Sequence, residues 1–173
     1  GVMWRNEDLF GVLADTVFPM AGHAVPERSA DVGAVALQML ADQRETVHLP
    51  ASPLMHGTGA FTTFQAMMGG GTIVTLESRH FDPDELWRAV ADHKVTMMAI
   101  VGDAFAKPML RALNEASDRG EAYDTSSLGL IVSSGVMWSS DVKAGIIEHA
   151  NCFCLDSLGS SEGVGFGQSM SGP

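Results

Sequence analysis

Short apolar runs of strand length, separated by segments of helix length, recur along most of this sequence. The runs lie at Thr46 to Pro50, Gly71 to Leu76, Val95 to Val101, Leu128 to Ser133 and Cys152 to Leu158. They are rich in aliphatic residues and lack the strict apolar-polar alternation of a half-exposed strand, so they read as strands buried on both faces. Between them lie predicted helices at about Gly59 to Met68, Pro83 to His93, Asp103 to Ala116 and Ser139 to Ala150. Start signals support two of these. Asp82-Pro83-Asp84-Glu85 places a capping acid, a first-turn proline and two acids at a helix N-terminus, and Ser139-Ser140-Asp141-Val142 offers a second start. Strands alternating with helices predict right-handed crossovers, hence a mostly parallel sheet with helices on both faces. Residues 1–173 are expected to form a single α/β unit. Ahead of it, Asn6 to Asp15 predicts a short helix, residues 16–32 an irregular connection with two prolines and a glycine, and Val32 to Gln43 another helix.

Charge and cysteine content exclude several functions. Ten Lys and Arg stand against 21 Asp and Glu, a net charge of -11, which repels nucleic-acid phosphates and anionic membrane surfaces. Two cysteines cannot make a disulfide scaffold. No apolar run reaches the roughly 20 residues that cross a bilayer, and Gly1 to Asp8 lacks the design of a signal peptide. A cytoplasmic setting is expected, with no nucleic-acid partner and no integral membrane segment. A first residue other than Met, and an end at Gly172-Pro173 after a Gly- and Ser-rich stretch, predict a piece of a larger protein.

In parallel sheets of this type ligands bind beyond the carboxyl ends of the strands. Small residues gather there: Pro53-Leu54-Met55-His56-Gly57-Thr58-Gly59, Val101-Gly102-Asp103, Ser133-Ser134-Gly135-Val136 and Ser157-Leu158-Gly159-Ser160-Ser161-Glu162-Gly163. Glycine and serine let the backbone approach a base or phosphate and leave N-H groups free to donate. His56, between a proline-led strand end and a helix entry, is placed to project into a cleft, whereas His23, His48, His80, His93 and His149 read as surface or packing residues. Glu162 could hold Mg²⁺ while the Ser161 hydroxyl contacts a phosphate.

Other readings compete. Gly159-Ser160-Ser161-Glu162-Gly163 fits the G-x-S-x-G nucleophile elbow of serine hydrolases, yet only ten residues follow Gly163 and none is histidine, so a triad using Ser161 does not close within the chain. Asp103 is placed like the phosphoacceptor of response regulators, but the acidic partners and lysine of that site are missing, and Asp103 reads as the N-cap of the next helix. Cys152 and Cys154 alternate on one strand near His149 without further ligands at metal-site spacing. The glycines at 163, 165 and 167 lack the helix that a dinucleotide fingerprint requires. The methionines read as gap fillers, with Met67, Met68 and Met137 suited to an adaptable apolar pocket. A non-catalytic binding module of flavodoxin-like outline remains a further alternative.

Taken in order, these motifs resemble the adenylate-forming (AMP-binding) acyl-CoA synthetases, of fatty-acyl-CoA ligase type. Gly1-Val2-Met3 resembles the tail of that family's phosphate-binding loop, and Pro53-Leu54-Met55-His56 its next motif. Gly69-Gly70-Gly71-Thr72-Ile73-Val74 with Phe81-Asp82-Pro83 resembles its following strand and helix start. Leu130 to Val136 resembles the segment along adenine, and Asp156-Ser157-Leu158-Gly159-Ser160-Ser161-Glu162 the signature written Tyr-Gly-x-Thr-Glu. The similarity extends over essentially the whole chain and implies part of a large AMP-binding domain. The implied reaction joins a carboxylic acid to ATP and passes the acyl group to coenzyme A, with Mg²⁺ assisting.

The resemblance also implies roles. Ser134, Gly135 and Val136 would meet the adenine edge, and Asp156, Ser157 and Leu158 would complete the nucleotide pocket, with Ser160 beside them. Gly159 would leave room near the reacting carboxylate, Ser161 would contact the α-phosphate, Glu162 would hold Mg²⁺, and His56 would sit by the acyl carboxylate or the pantetheine path. An acyl pocket is expected between the Gly59 to Met68 helix and the Val101 to Phe105 turn. The sequence departs from the family pattern at Leu158, which replaces an aromatic, at Ser134, which replaces glycine, and at Ser161, which replaces threonine. Most of the phosphate loop, the ribose-binding aspartate and the smaller domain with its lysine are not in the chain, which is therefore expected to be inactive by itself. Edges left bare at either end predict self-association into a homo-oligomer.

Overall fold

The strand-and-helix alternation folds as a doubly wound sheet. The computed structural model describes residues 2–162 and 165–173, with only the backbone of Ser29, Gly165 and Phe166. Gly1 of the loop-tail motif and Gly163 of the Gly-x-Ser-x-Gly motif lie outside the described residues. Six strands, β1 (Val47–Pro50), β2 (Thr72–Ile73), β3 (Met97–Ile100), β4 (Leu130–Ser134), β5 (Phe153–Gly159) and β6 (Gly165–Ser171), stand in the order β2-β1-β3-β4-β5-β6. The first four pairings are parallel and the last, β5 with β6, is antiparallel.

The helices are α1 (Asn6–Met20), α2 (Val32–Ala41), α3 (Gly57–Met68), α4 (Pro83–His93), α5 (Gly102–Asp118) and α6 (Ser140–Ala150), with a single turn of 3-10 helix at Ser29–Asp31. Chain direction across the sheet reverses at β1. With right-handed crossovers this puts α3 on one face and α4, α5 and α6 on the other. The packing agrees: α4 meets α5 and α5 meets α6, whereas α3 packs against α1. The larger core lies on the three-helix face and includes Leu86, Trp87 and Val90 of α4, Met109 and Leu113 of α5 and Ile146 of α6, closed against Met98, Ile100 and Ile131. A smaller core joins Ala14 and Phe18 of α1 to Met39 of α2.

Local chemistry sets several boundaries as expected. The Asp82 carboxylate accepts from the N-H groups of Asp84 (2.9 Å) and Glu85 (3.1 Å), so α4 starts at Pro83. It stops where Lys94 takes φ +52, and α6 likewise stops at Asn151 with φ +48, a residue type that tolerates this conformation. Three expectations are corrected. Residues 16–20 continue α1, because the fully buried Phe18 gains more from the small core than Pro19 costs in the last turn. The Gly71 to Leu76 run pairs over Thr72–Ile73 alone. The Gly-x-Gly tail forms β6, whose composition disfavours a strand but which covers the open edge of β5.

His48, central in β1, is fully buried, with Nδ1 3.3 Å from the Met97 carbonyl oxygen. Burial lowers its pKa to about 4, while the Met97 contact opposes the shift. The unfolded chain, with an ordinary histidine near 6.5, therefore takes up the proton first. Stability is fully present above about pH 6.5 and falls as the pH drops toward about 4, by up to roughly 3 kcal/mol. Urea midpoints between pH 7.5 and 4.5 should show this slope, and His48→Gln should flatten it. An equal slope in both proteins would remove His48 as the cause.

Candidate active site

Reversal of chain direction at β1 opens a crevice between the loops that leave β1 and β3, on the carboxyl side of the sheet. The loop after β1 ends at His56, which caps α3: its Nδ1 accepts from the Thr58 N-H at 3.3 Å. The opposite side of the imidazole lies against the loop after β4. Gly135 there has φ +93, and a Cβ built on it would stand 3.1 Å from His56 Cε1 and 3.2 Å from Nε2. Only glycine fits this conformation and this approach. The loop after β5 closes the group, since a Cβ on Gly57 would lie 3.5 Å from Ser161 Oγ. His56, Gly135 and Ser161, expected from sequence to act together, are thus neighbours drawn from the ends of three strands.

The loops after β3 and β4 are stitched to each other. The Gly102 N-H donates to the buried Ser133 hydroxyl at 2.9 Å, and the Asp103 N-H to the Met137 carbonyl at 3.0 Å. Asp103 is not an N-cap, a place held by Val101. Its Oδ1 accepts from the N-H (2.9 Å) and hydroxyl (3.1 Å) of Ser139, and its Oδ2 pairs with Lys107 at 3.1 Å. Burial raises the pKa of this carboxyl, but the Ser139 and Lys107 contacts outweigh it and hold the group below its usual range. The Ser139 hydroxyl is therefore engaged by Asp103 and does not cap α6.

Beside this junction lies an open cleft of about 400 Å³, lined by Gly135, Val136 and Met137 after β4, Asp156, Ser157 and Leu158 of β5, and Gly167, Gln168 and Ser169 of β6. Five residues expected in a nucleotide pocket, together with Met137, meet here. Ser134 ends β4 just before the cleft, Gly159 ends β5, and Ser160, Ser161 and Glu162 follow it in the chain, the last two exposed. Leu158 is 66% exposed and presents an apolar face in the cleft. Gln168 and Ser169 escaped the sequence reading because they belong to the unexpected strand. Trp4 escaped it too: its indole N-H donates to the Ser161 carbonyl at 3.0 Å while the ring packs edge-on against Phe61, 6.2 Å between centroids. No local pattern signals a contact spanning most of the chain.

Cys152 and Cys154 are both fully buried. A hydrogen bond donated to Cys152 and burial push the Cys154 thiol up, which suits packing rather than metal ligation. Among the described residues no group of three His, Cys, Asp or Glu side chains could hold a metal. Glu162 is one exposed carboxylate near a hydroxyl. That donor set fits Mg²⁺, which commonly takes one or two protein carboxylates and fills its shell with phosphate oxygens and water. A second cavity of about 230 Å³ lies between α1, α2, α3 and the amino ends of β3 and β4, bordered by Val17, Met20, Met39, Ala66, Met97 and Leu130 among others. It has the α3 wall expected of an acyl pocket but not the Val101 to Phe105 turn. None of the described helices is long and apolar enough to cross a membrane.

Comparison with known proteins agrees with this fold. Residues 23–172 match the family model described as AMP-binding enzyme. The chain is 40% identical over 168 residues to a medium/long-chain-fatty-acid-CoA/3-oxocholest-4-en-26-oate-CoA ligase of Mycolicibacterium smegmatis, covering 96% of this chain and 29% of that protein. It is 36% identical to a 3-oxocholest-4-en-26-oate-CoA ligase of Rhodococcus rhodochrous, with the same coverage. Thus the chain spans somewhat under a third of these relatives' length. The crystal structure of a putative long-chain-fatty-acid CoA ligase from Rhodopseudomonas palustris superposes with a TM-score of 0.57 at 19% identity, over 81% of this chain and 34% of that one.

Proposed function

Since this chain belongs to the AMP-binding enzyme family, we propose that the protein carrying it is an AMP-forming acyl-CoA ligase for a fatty or steroid carboxylic acid. The observation that carries the reading is the cleft at the carboxyl ends of β4 and β5, where Gly135, Val136, Asp156, Ser157 and Leu158 converge next to His56 and Ser161. In the first half-reaction a carboxylate oxygen bonds to the α-phosphorus of ATP and pyrophosphate leaves. In the second, the coenzyme A thiolate attacks the acyl carbon and AMP leaves.

Each residue has work suited to its position. Val136 and Leu158 offer apolar contact to the purine faces, while Ser134, Gly135, Asp156 and Ser157 border its edge. Gly159 and Ser160 keep the following loop narrow where the carboxylate must reach the phosphate, and the Ser161 hydroxyl donates to an α-phosphate oxygen. His56, fixed by Thr58 and Gly135, borders the path by which the acyl carboxylate or the thiol arrives. Glu162 would hold Mg²⁺, which neutralises charge developing on the phosphates. ATP and coenzyme A as substrates place the enzyme in the cytoplasm. Serine hydrolysis through Ser161 and a non-catalytic module lose ground to this reading, although the order β2-β1-β3-β4-β5 does match the flavodoxin-like outline.

The test is exchange of labelled pyrophosphate into ATP by the entire protein, without acid and with either a long-chain fatty acid or a steroid carboxylic acid. Acid-dependent exchange is expected. Glu162→Gln should lower it by roughly 100-fold or more with an unchanged melting midpoint, because the side chain is exposed and its charge acts on the phosphates. Absence of exchange in the unaltered protein would end the ligase reading, and full exchange in Glu162→Gln would end that residue's role.

A further inference from the structure

Lys143 occupies an unfavourable place. It stands in the opening turn of α6, where the helix dipole disfavours a cation, and it is only 8% exposed, so burial disfavours the charge again. Its ammonium reaches Asp156 Oδ2 at 3.2 Å and lies 5.4 Å from the centre of the Trp138 ring, itself buried. These two contacts offset the two penalties. A salt bridge and a cation-π contact at this point do not extend the core, because Asp156 itself lines the cleft. Pairing through Oδ2 holds the Asp156 side chain in one orientation and leaves Oδ1 as the acceptor available to a ligand.

We propose that Lys143 is a positioning residue that sets Asp156 as a fixed hydrogen-bond acceptor at the purine edge, so that the cleft selects a base bearing an exocyclic amine. The inference rests on the ligase reading above. An ionised carboxylate only accepts hydrogen bonds. A 6-amino purine offers it an N-H donor, whereas a 6-oxo purine turns a carbonyl oxygen toward it. Without Lys143 the carboxylate can swing away or take water, and the two bases become alike to the pocket. Of the other walls, Gly135, Val136, Met137 and Leu158 supply apolar surface that every purine shares, while Ser157, Gln168 and Ser169 carry groups that can both donate and accept and so do not by themselves choose between the two bases.

The experiment compares ATP with inosine triphosphate in pyrophosphate exchange by the entire protein. Preference for ATP in the unaltered protein should be roughly 10- to 100-fold in kcat/KM, the range of one hydrogen-bonding mismatch at a base edge. In Lys143→Met the preference should fall to within about threefold. The loss should come from a higher KM for ATP rather than from kcat, and Lys143→Arg should restore most of it. Should Lys143→Met fail to fold, the double change Lys143→Met with Asp156→Asn removes both charges and is expected to fold with the preference lost. A folded Lys143→Met or double variant that keeps the full preference would overturn the proposal. Equal use of both nucleotides by the unaltered protein would overturn the proposal while leaving the ligase reading intact, whereas no exchange with either would overturn both.

Discussion

Gly135→Val is expected to lower kcat/KM for ATP by roughly 100-fold or more in the entire protein, since displacements of about 1 Å at a reacting site already cost about that factor. Two effects combine at this position. With φ +93 the backbone is strained for any residue with a Cβ, and the Cβ itself would meet the His56 ring at 3.1 Å before valine's methyl groups are counted. The imidazole is anchored on its other side by the Thr58 N-H and has little room to retreat. The added side chain therefore displaces either His56 or the loop that passes along the cleft. Folding should survive, at a cost of about 1–3 kcal/mol for the strained backbone, so circular dichroism would show a melt at lower temperature with intact helices. A control is available in Gly11, in the middle of α1, where a Cβ meets nothing within 4 Å. Gly11→Ala should leave nucleotide use alone and stabilise slightly. An unchanged KM and kcat in Gly135→Val would mean that the cleft does not receive the nucleotide.

Trp87→Ala is expected to cost about 4 kcal/mol, a large share of the roughly 5–15 kcal/mol that holds a domain folded. The indole is fully buried at the centre of the three-helix face, and its N-H donates to the Met109 carbonyl at 3.0 Å, tying α4 to α5. Alanine loses both the apolar transfer energy and the bond, and it leaves a cavity walled by α4, α5 and the sheet. Trp87→Phe keeps much of the volume without the donor and should cost about 1–2 kcal/mol. Guanidinium unfolding of the two variants would measure both. A loss below about 1 kcal/mol for Trp87→Ala would show that the indole does not carry the α4-α5 contact.

Much of this architecture was legible because its causes are local. The Asp82-Pro83 start and the aliphatic runs at 97–100 and 130–134 depend on neighbours within a few residues, and α4 matches its predicted span from end to end. Legibility failed where long-range packing overrode local preference. Phe18 carries α1 through Pro19 by burial against Met39, and β6 exists because β5 offers an unpaired edge. The serine predicted to cap α6 instead binds Asp103, since that carboxylate arrives from a segment 36 residues away.

The order of apolar runs and turn residues by itself determined the parallel sheet, the crossovers and the placing of small residues at the carboxyl ends of the strands. Those properties follow from periodicity and chain chirality, which are written in nearest neighbours. Only the tertiary structure decided which strand ends meet. Gly135 faces His56, Ser161 lies near Gly57 and receives the Trp4 N-H, and Lys143 reaches Asp156. Each is a contact between segments whose separation in the chain carries no periodic signal. Reversal of strand order at β1, set by the shared burial of both sheet faces, is what brings those loops to one crevice.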